Sequence, residues 1–314
     1  MQGKRKSIVF KALLLGSLSA LTLLAVNTQA QTQVQTQATE QTTEAATAPT
    51  PPAPAPIKAA PVPPKFDMAE AASRYVTLVK EAERIGSLPA LSTDAIEGSL
   101  RLSARVSHRG ITEGVGAFAA LTAASHSEFA SGLTTVTNLL GREAVLTRLK
   151  EDPDQLFAAI SGSVSARKLA AGAIESSLAS LEKASKSLGA AAYGVQGQAW
   201  AKRAVDTPAT LVYLRSEAAG AARPDELSNW VLPPRISDQP ISNRYLIAAS
   251  YKILGEDGLA TELLDQPKGR MCMNRVQLNV RQCVAASQYP YEHLFCLSKH
   301  SFGEALDCVR AVAD

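Results

Sequence analysis

Every cysteine of the 314-residue chain lies in one C-terminal stretch, CMNRVQLNVRQCVAASQYPYEHLFCLSKHSFGEALDC, from Cys272 to Cys308. Four thiols could ligate a metal, exchange electrons or cross-link the chain. A zinc site would recruit His293 or His300, but it wants cysteines in a C-x2–4-C spacing, and a redox pair wants two cysteines two residues apart. Here consecutive cysteines have at least ten residues between them. No metal or cofactor is therefore expected, and cross-linking is the remaining chemistry.

The spacing also selects the pairs. Residues eleven apart on an α-helix differ by about 20° in azimuth, so Cys272, Val276, Asn279 or Val280, and Cys283 share one face. The turn AASQYPY follows, with Pro290 suited to the first position of a second helix that carries Cys296. SFGE either starts a third helix, capped by Ser301 and Glu304, or continues the second, and Cys308 follows in both cases. Joining Cys272 to Cys283 would span about 16 Å of helix rise, against a disulfide Cα limit near 7 Å. Facing residues of an antiparallel hairpin have a constant index sum. The nested pairs give 579 and 580, whereas the crossed pairs give 568 and 591. The expected disulfides are Cys283–Cys296 and Cys272–Cys308, each worth roughly 3–4 kcal/mol in the chain-entropy model.

This arrangement, from Cys272 to Cys308, resembles the twin-cysteine helical hairpins of small proteins in the mitochondrial intermembrane space, although its intervals depart from that family's spacing. The resemblance implies a shared geometry and no function. The wider chain, with AAYGVQGQAWAK and these cysteines, is similar to uncharacterised exported bacterial helical proteins. That resemblance implies a compartment and no activity.

Other residues that could do chemistry are sparse. The motifs G-x-S-x-G and H-E-x-x-H are absent, as is a phosphate-cradling glycine-rich loop. Two S-x-x-K matches occur, Ser165/Lys168 and Ser180/Lys183, with SDQ at Ser237 as a loose second element. No K-T-G accompanies them, and the penicillin-recognising enzymes that use such a pair need a sheet. Paired carboxylates for glycoside cleavage would have to come from Glu70, Glu81, Glu97 and Glu175 on predicted helices, or from Glu113 just past one. Each reads as a cap or a solvated-face residue. His108, His126, His293 and His300 are scattered among predicted turns and surfaces, where a His–carboxylate pair could form only through the fold. Gln196 and Trp200, one turn apart on a predicted helix, and Trp230 beside VLPP are candidate interaction anchors. The plainer reading puts Trp200 in the core and has Trp230 pin a loop. Met271 and Met273, flanking Cys272, read as packing residues.

These residues are carried by a chain built for export. Lys4, Arg5 and Lys6 precede an uncharged apolar run from Ala12 to Val26, and Thr28 and Ala30 suit cleavage before Gln31. That is the layout of a signal peptide over residues 1–30. Lys11 limits the run to about fifteen residues, short of the roughly 20 a membrane span needs, so cleavage is favoured over an anchor. No cysteine follows the run, which argues against a lipoprotein, and there is no twin-arginine pair. Subtracting the four leader charges from the formal +3 leaves −1. Such a chain has no field to attract nucleic acid or anionic lipid.

Residues 31–64 contain no Leu, Phe, Tyr or Trp and hold eight of the seventeen prolines. They predict a coil linker, Gln/Thr-rich and then Pro/Ala-rich. Beyond Lys65 the punctuation is helical: Asp67 with Glu70 and a stop at Gly86; Asp94 with Glu97 and a stop at Gly110; Asp152–Pro153 with Gln155; a long alanine-rich run from Ser163; and Thr207–Pro208. No alternating β-branched run requires a sheet. The fold class is all-α, a bundle or irregular helical array ending in the stapled hairpin. With aromatics at 5%, its core must come from Ala, Leu and Val. The expected regions are a helical domain over 65–218, a proline-rich connection over 219–242 and a C-terminal region over 243–314. The function expected is an exported, non-catalytic interaction or structural protein of the envelope, most simply periplasmic, whose partner is an envelope protein or a cell-wall component. The alternatives are a periplasmic hydrolase of peptidoglycan or a related polymer, and a small-ligand carrier.

Overall fold

The computed structural model describes residues 66–105, 110–219 and 242–313. The leader, the 31–64 linker, His108, Trp230 and Ser237 lie outside the described residues.

At the first helix, α1 (Met68–Gly86), Asp67 Oδ1 accepts from the Glu70 backbone N–H at 2.8 Å, as its sequence signature predicts. The second, α2 (Thr93–Arg105), corrects the expected cap: Ser92 Oγ accepts from the Ala95 N–H at 3.2 Å, and Asp94 sits in the first turn. There its charge faces the helix dipole instead of an orphan donor. Gly110 is the left-handed residue (φ 93°) that starts α3 (Ile111–Ala124). Then come α4 (Ser127–Leu140), α5 (Arg142–Glu151) and α6 (Pro153–Ala159), the last capped by Asp152 through the Gln155 N–H. The long α7 (Ser163–Gly194) ends before a 3-10 turn over Trp200–Lys202, and α8 (Thr207–Ala219) follows. Past the undescribed connection lie α9 (Asn243–Ile253), α10 (Asp257–Leu263) and α11 (Pro267–Ala286). The last rod runs through α12 (Pro290–Cys296), a π-helical stretch over Leu297–Glu304 and α13 (Ala305–Ala313). SFGE thus continues the second hairpin helix. The described residues contain no strand.

The helix at the centre is α3. ITEGVGAFAALTAA is apolar all round, and a helix of that kind must be covered on every side. It packs against α1, α7, α9, α11 and α13, so the helices on both sides of the 219–242 connection share one core. Small residues permit the approach. An added Cβ at Gly114 would stand 2.3 Å from the Ala71 carbonyl oxygen. The few aromatics take central places: Tyr75, Tyr245, Phe129 and Phe302 are among the largest fully buried side chains. Tyr75 Oη lies 2.5 Å from Ser177 Oγ, and Tyr245 Oη donates to the Val312 carbonyl at 2.7 Å, so each phenol keeps a partner inside the core.

The terminal rod is held to α7 by a close crossing. Ser298 Oγ donates to the Ser185 carbonyl at 2.7 Å, and Ser185 Oγ returns the bond to the Ser298 carbonyl at 3.0 Å. Gly189 and Gly303 keep the contact narrow, since an added Cβ at either would stand 2.9–3.1 Å from a serine oxygen.

Candidate functional site

The cysteines are joined in nested pairs. Cys272 bonds to Cys308 and Cys283 to Cys296, both with Cα atoms 5.7 Å apart, and no cysteine is free. One staple ties the start of α11 to α13 and the other ties its end to the end of α12. On an unbroken α-helix, residues twelve apart such as Cys296 and Cys308 would stand about 120° apart. The wider π turn between them unwinds that offset, and both sulfurs reach α11. Two disulfides in the folded body fit an oxidising compartment outside the cytosol. Among the described residues, no helix is long and apolar enough to cross a membrane, and no group of three or more His, Cys, Asp or Glu could hold a metal ion.

Most residues singled out for chemistry are committed to structure. Ser165 and Ser180 lie on the outer side of α7, and Ser180 Oγ donates to Glu83 at 2.8 Å and to the Ser176 carbonyl. Two carboxylates expected as caps or on solvated faces are instead buried. Glu81 takes a bidentate Arg84 (2.6 and 2.7 Å) and the Ser99 hydroxyl. Glu113, in the first turn of α3 and not past a helix, takes Arg270 at 2.6 Å and Thr112 at 3.1 Å. Burial is tolerated because the charge of each is paired and hydrogen-bonded. Gly114 packs at the level of Ala71, so about 15 Å of α1 rise separates these two sites. That is too far for the two carboxylates to share a glycosidic bond.

The histidines also divide. His126 caps α4, with Nδ1 accepting from the Phe129 N–H at 3.3 Å. His300 Nδ1 lies 2.8 Å from Glu304, whose other oxygen accepts from Asn279, so a His–carboxylate pair does form, one turn apart on one rod. His293, expected near a surface, is fully buried with neither ring nitrogen hydrogen-bonded. Burial pushes its pKa down from 6.5, and the charge of Glu292 offsets only part of this. The native state therefore holds a neutral imidazole, whereas the unfolded chain takes up a proton as pH falls through about 6.5. Stability should fall by up to about 1.4 kcal/mol per pH unit below that point. His293→Leu should flatten this slope in urea melts taken between pH 7.5 and 5; an unchanged slope would show that other groups set it.

The candidate anchors need the largest correction. Gln196 and Trp200 do not share a helix, because α7 ends at Gly194 and the chain then turns, with the Gln198 N–H donating to the Val195 carbonyl at 2.9 Å. Trp200 packs partly buried against the core, with its indole N–H bonded to Gln198. Met271 is no packing residue: it is exposed while Met273 is buried, since residues two apart on a helix face nearly opposite ways. Gln196, however, is exposed at the edge of a solvent-open cleft of about 340 Å³.

Three helix ends build that cleft. The end of α7 contributes Ala192 and Tyr193, and the turn after it Gln196; the end of α11 contributes Cys283 and Ala286, and its C-cap Ser287; α12 contributes Tyr291, Glu292 and Phe295. The Cys283–Cys296 staple fixes the second and third walls against each other. Tyr193 and Phe295 are 67% and 41% exposed, and Tyr291 stacks on Tyr289 with ring centroids 5.7 Å apart and planes 10° from parallel. Ser287 Oγ is engaged by the Cys283 carbonyl at 2.7 Å and lies 3.4 Å from Cys296 Sγ, and Glu292 is the one carboxylate of the lining. The arrangement supplies aromatic surface and a single negative charge. Single residues along the sequence carried little of this signal, because the aromatics of the cleft are spread from Tyr193 to Phe295. No protein-family model, curated protein or solved structure matches this chain.

Proposed function

We propose that this chain is exported to the periplasm and acts there without catalysis, as an envelope interaction protein that docks its partner in the aromatic cleft. The observation that carries this reading is the pair of exposed rings, Tyr193 and Phe295, beside a wall fixed by the Cys283–Cys296 disulfide. Exposed aromatics on a rigid frame suit partner binding, because little side-chain entropy is lost when they are covered. The disulfides support export, and the single carboxylate and engaged hydroxyl of the lining support a non-catalytic role.

Site-specific photocrosslinking in intact cells tests this. A crosslinker at Phe295 or Tyr193 should give one discrete envelope adduct. The same group at Val164, exposed and about 43 Å of α7 rise away, should give none. Equal labelling at all three positions, or recovery of the unprocessed chain in the cytosol with free thiols, would sink the proposal.

A further inference from the structure

Resting on the reading of this cleft as a docking site, we propose that what it accepts is an arginine side chain presented by an extended segment of the partner protein. Two features of the lining point to a cation. The first is charge: Glu292 is the only ionised residue among the nine that line the cleft, and no Lys or Arg is there to neutralise it. Its carboxylate is also held in place. Oε2 accepts from the Gln288 N–H at 2.5 Å and the Tyr289 N–H at 3.0 Å, while the Tyr291 hydroxyl approaches Oε1 only to 3.5 Å. One oxygen is thus an anchor, and the other remains available to a donor from outside.

The second feature is the set of rings that share the lining with Glu292. Tyr193, Tyr291 and Phe295 line the same cleft, and aromatic faces attract cations through their quadrupole. Guanidinium suits the combination better than ammonium, because its plane stacks on a ring while its edge donates to a carboxylate. The open side of the cleft decides between a free small cation and a side chain. Sites for free ligands bury most of the ligand surface, whereas this cleft stays open to solvent on one side. A partner segment lying across the mouth would cover the cation and exclude water from the pair.

The test is an NMR titration of the purified, oxidised full chain with three capped pentapeptides, Ala-Ala-Xaa-Ala-Ala, in which Xaa is arginine, its neutral isostere citrulline, or proline. The arginine peptide should shift the resonances of Tyr193, Tyr291 and Phe295, and the citrulline and proline peptides should leave them in place. Glu292→Gln keeps an acceptor for the two backbone N–H groups and removes only the charge, so it should fold and weaken arginine-peptide binding about five-fold. Tyr193→Ala, at an exposed position, should weaken it by a similar factor. Equal binding of citrulline or proline, full affinity in Glu292→Gln, or no shift with arginine would each overturn the proposal. The crosslinking experiment separates the two failures. An adduct at Phe295 without arginine binding removes the cation and leaves the docking reading, whereas no adduct removes both.

Discussion

Reduction of the Cys272–Cys308 and Cys283–Cys296 bonds is expected to lower stability by about 6 kcal/mol in all. The bonds join residues 36 and 13 apart in sequence. In the chain-entropy model the longer loop is worth about 4 kcal/mol and the shorter about 3 kcal/mol. The sum is trimmed because the inner bond already shortens the outer loop. Domains of this kind have roughly 5–15 kcal/mol of stability in total, so the loss is of the order of the whole. Urea melts of the full chain with and without reductant should show a large fall in midpoint. Cys283→Ser/Cys296→Ser should reproduce about half of it and should also loosen the cleft, since Cys283 lines it. Coincident oxidised and reduced melts would mean that packing alone holds the terminal rod in place.

The second large effect is expected from one methyl group. At Gly114 a Cβ would meet the Ala71 carbonyl oxygen at 2.3 Å and Tyr75 Cβ at 2.8 Å, both on or next to the α1 backbone. No flexible side chain can move aside, so α1 and α3 must separate along the contact that forms the centre of the core. Overpacking typically costs 1–3 kcal/mol. A clash with backbone should put Gly114→Ala at about 3 kcal/mol. Gly98, exposed on α2, is the matching control, because nothing lies within 4 Å of its added Cβ. Gly98→Ala should stabilise by about 0.5–1 kcal/mol, since alanine loses less backbone freedom in a helix. Thermal melts of the two variants should move in opposite directions. If Gly114→Ala melts like the parent, α1 and α3 do not approach as closely as described.

Much of the helical plan was legible because its signals are local. Asp67, Asp152 and Pro290 mark helix starts through bonds that span three residues or fewer, and those starts are where the structure has them. At the start of α2 the same local rules admit two readings, Ser92 or Asp94 as the cap, and the structure has Ser92 accept from the Ala95 N–H. The three helices over residues 111–151 gave a weaker signal. One of them, α3, is apolar on every face and so shows no clear period. Burial of Glu81, Glu113 and His293 was out of reach, because it depends on Arg84, Arg270 and the surrounding helices. For Glu113 the partner is 157 residues away.

By itself the sequence determined that the body of this chain is helical and that it pairs its cysteines in nested order. Those conclusions need only helical period, turn chemistry and a constant register. The tertiary structure alone decided how a rod with sulfurs twelve residues apart turns both toward α11, and it did so with a π-helical stretch fitted against Ser185 and Gly189. It also decided that the ends of α7, α11 and α12 meet, gathering Gln196, Tyr193, Glu292 and Phe295 around one opening. The reason is physical. Helix starts and stops are set by bonds within one turn, whereas a cleft exists only where separate helices run out together, and that is fixed by how their buried faces pack.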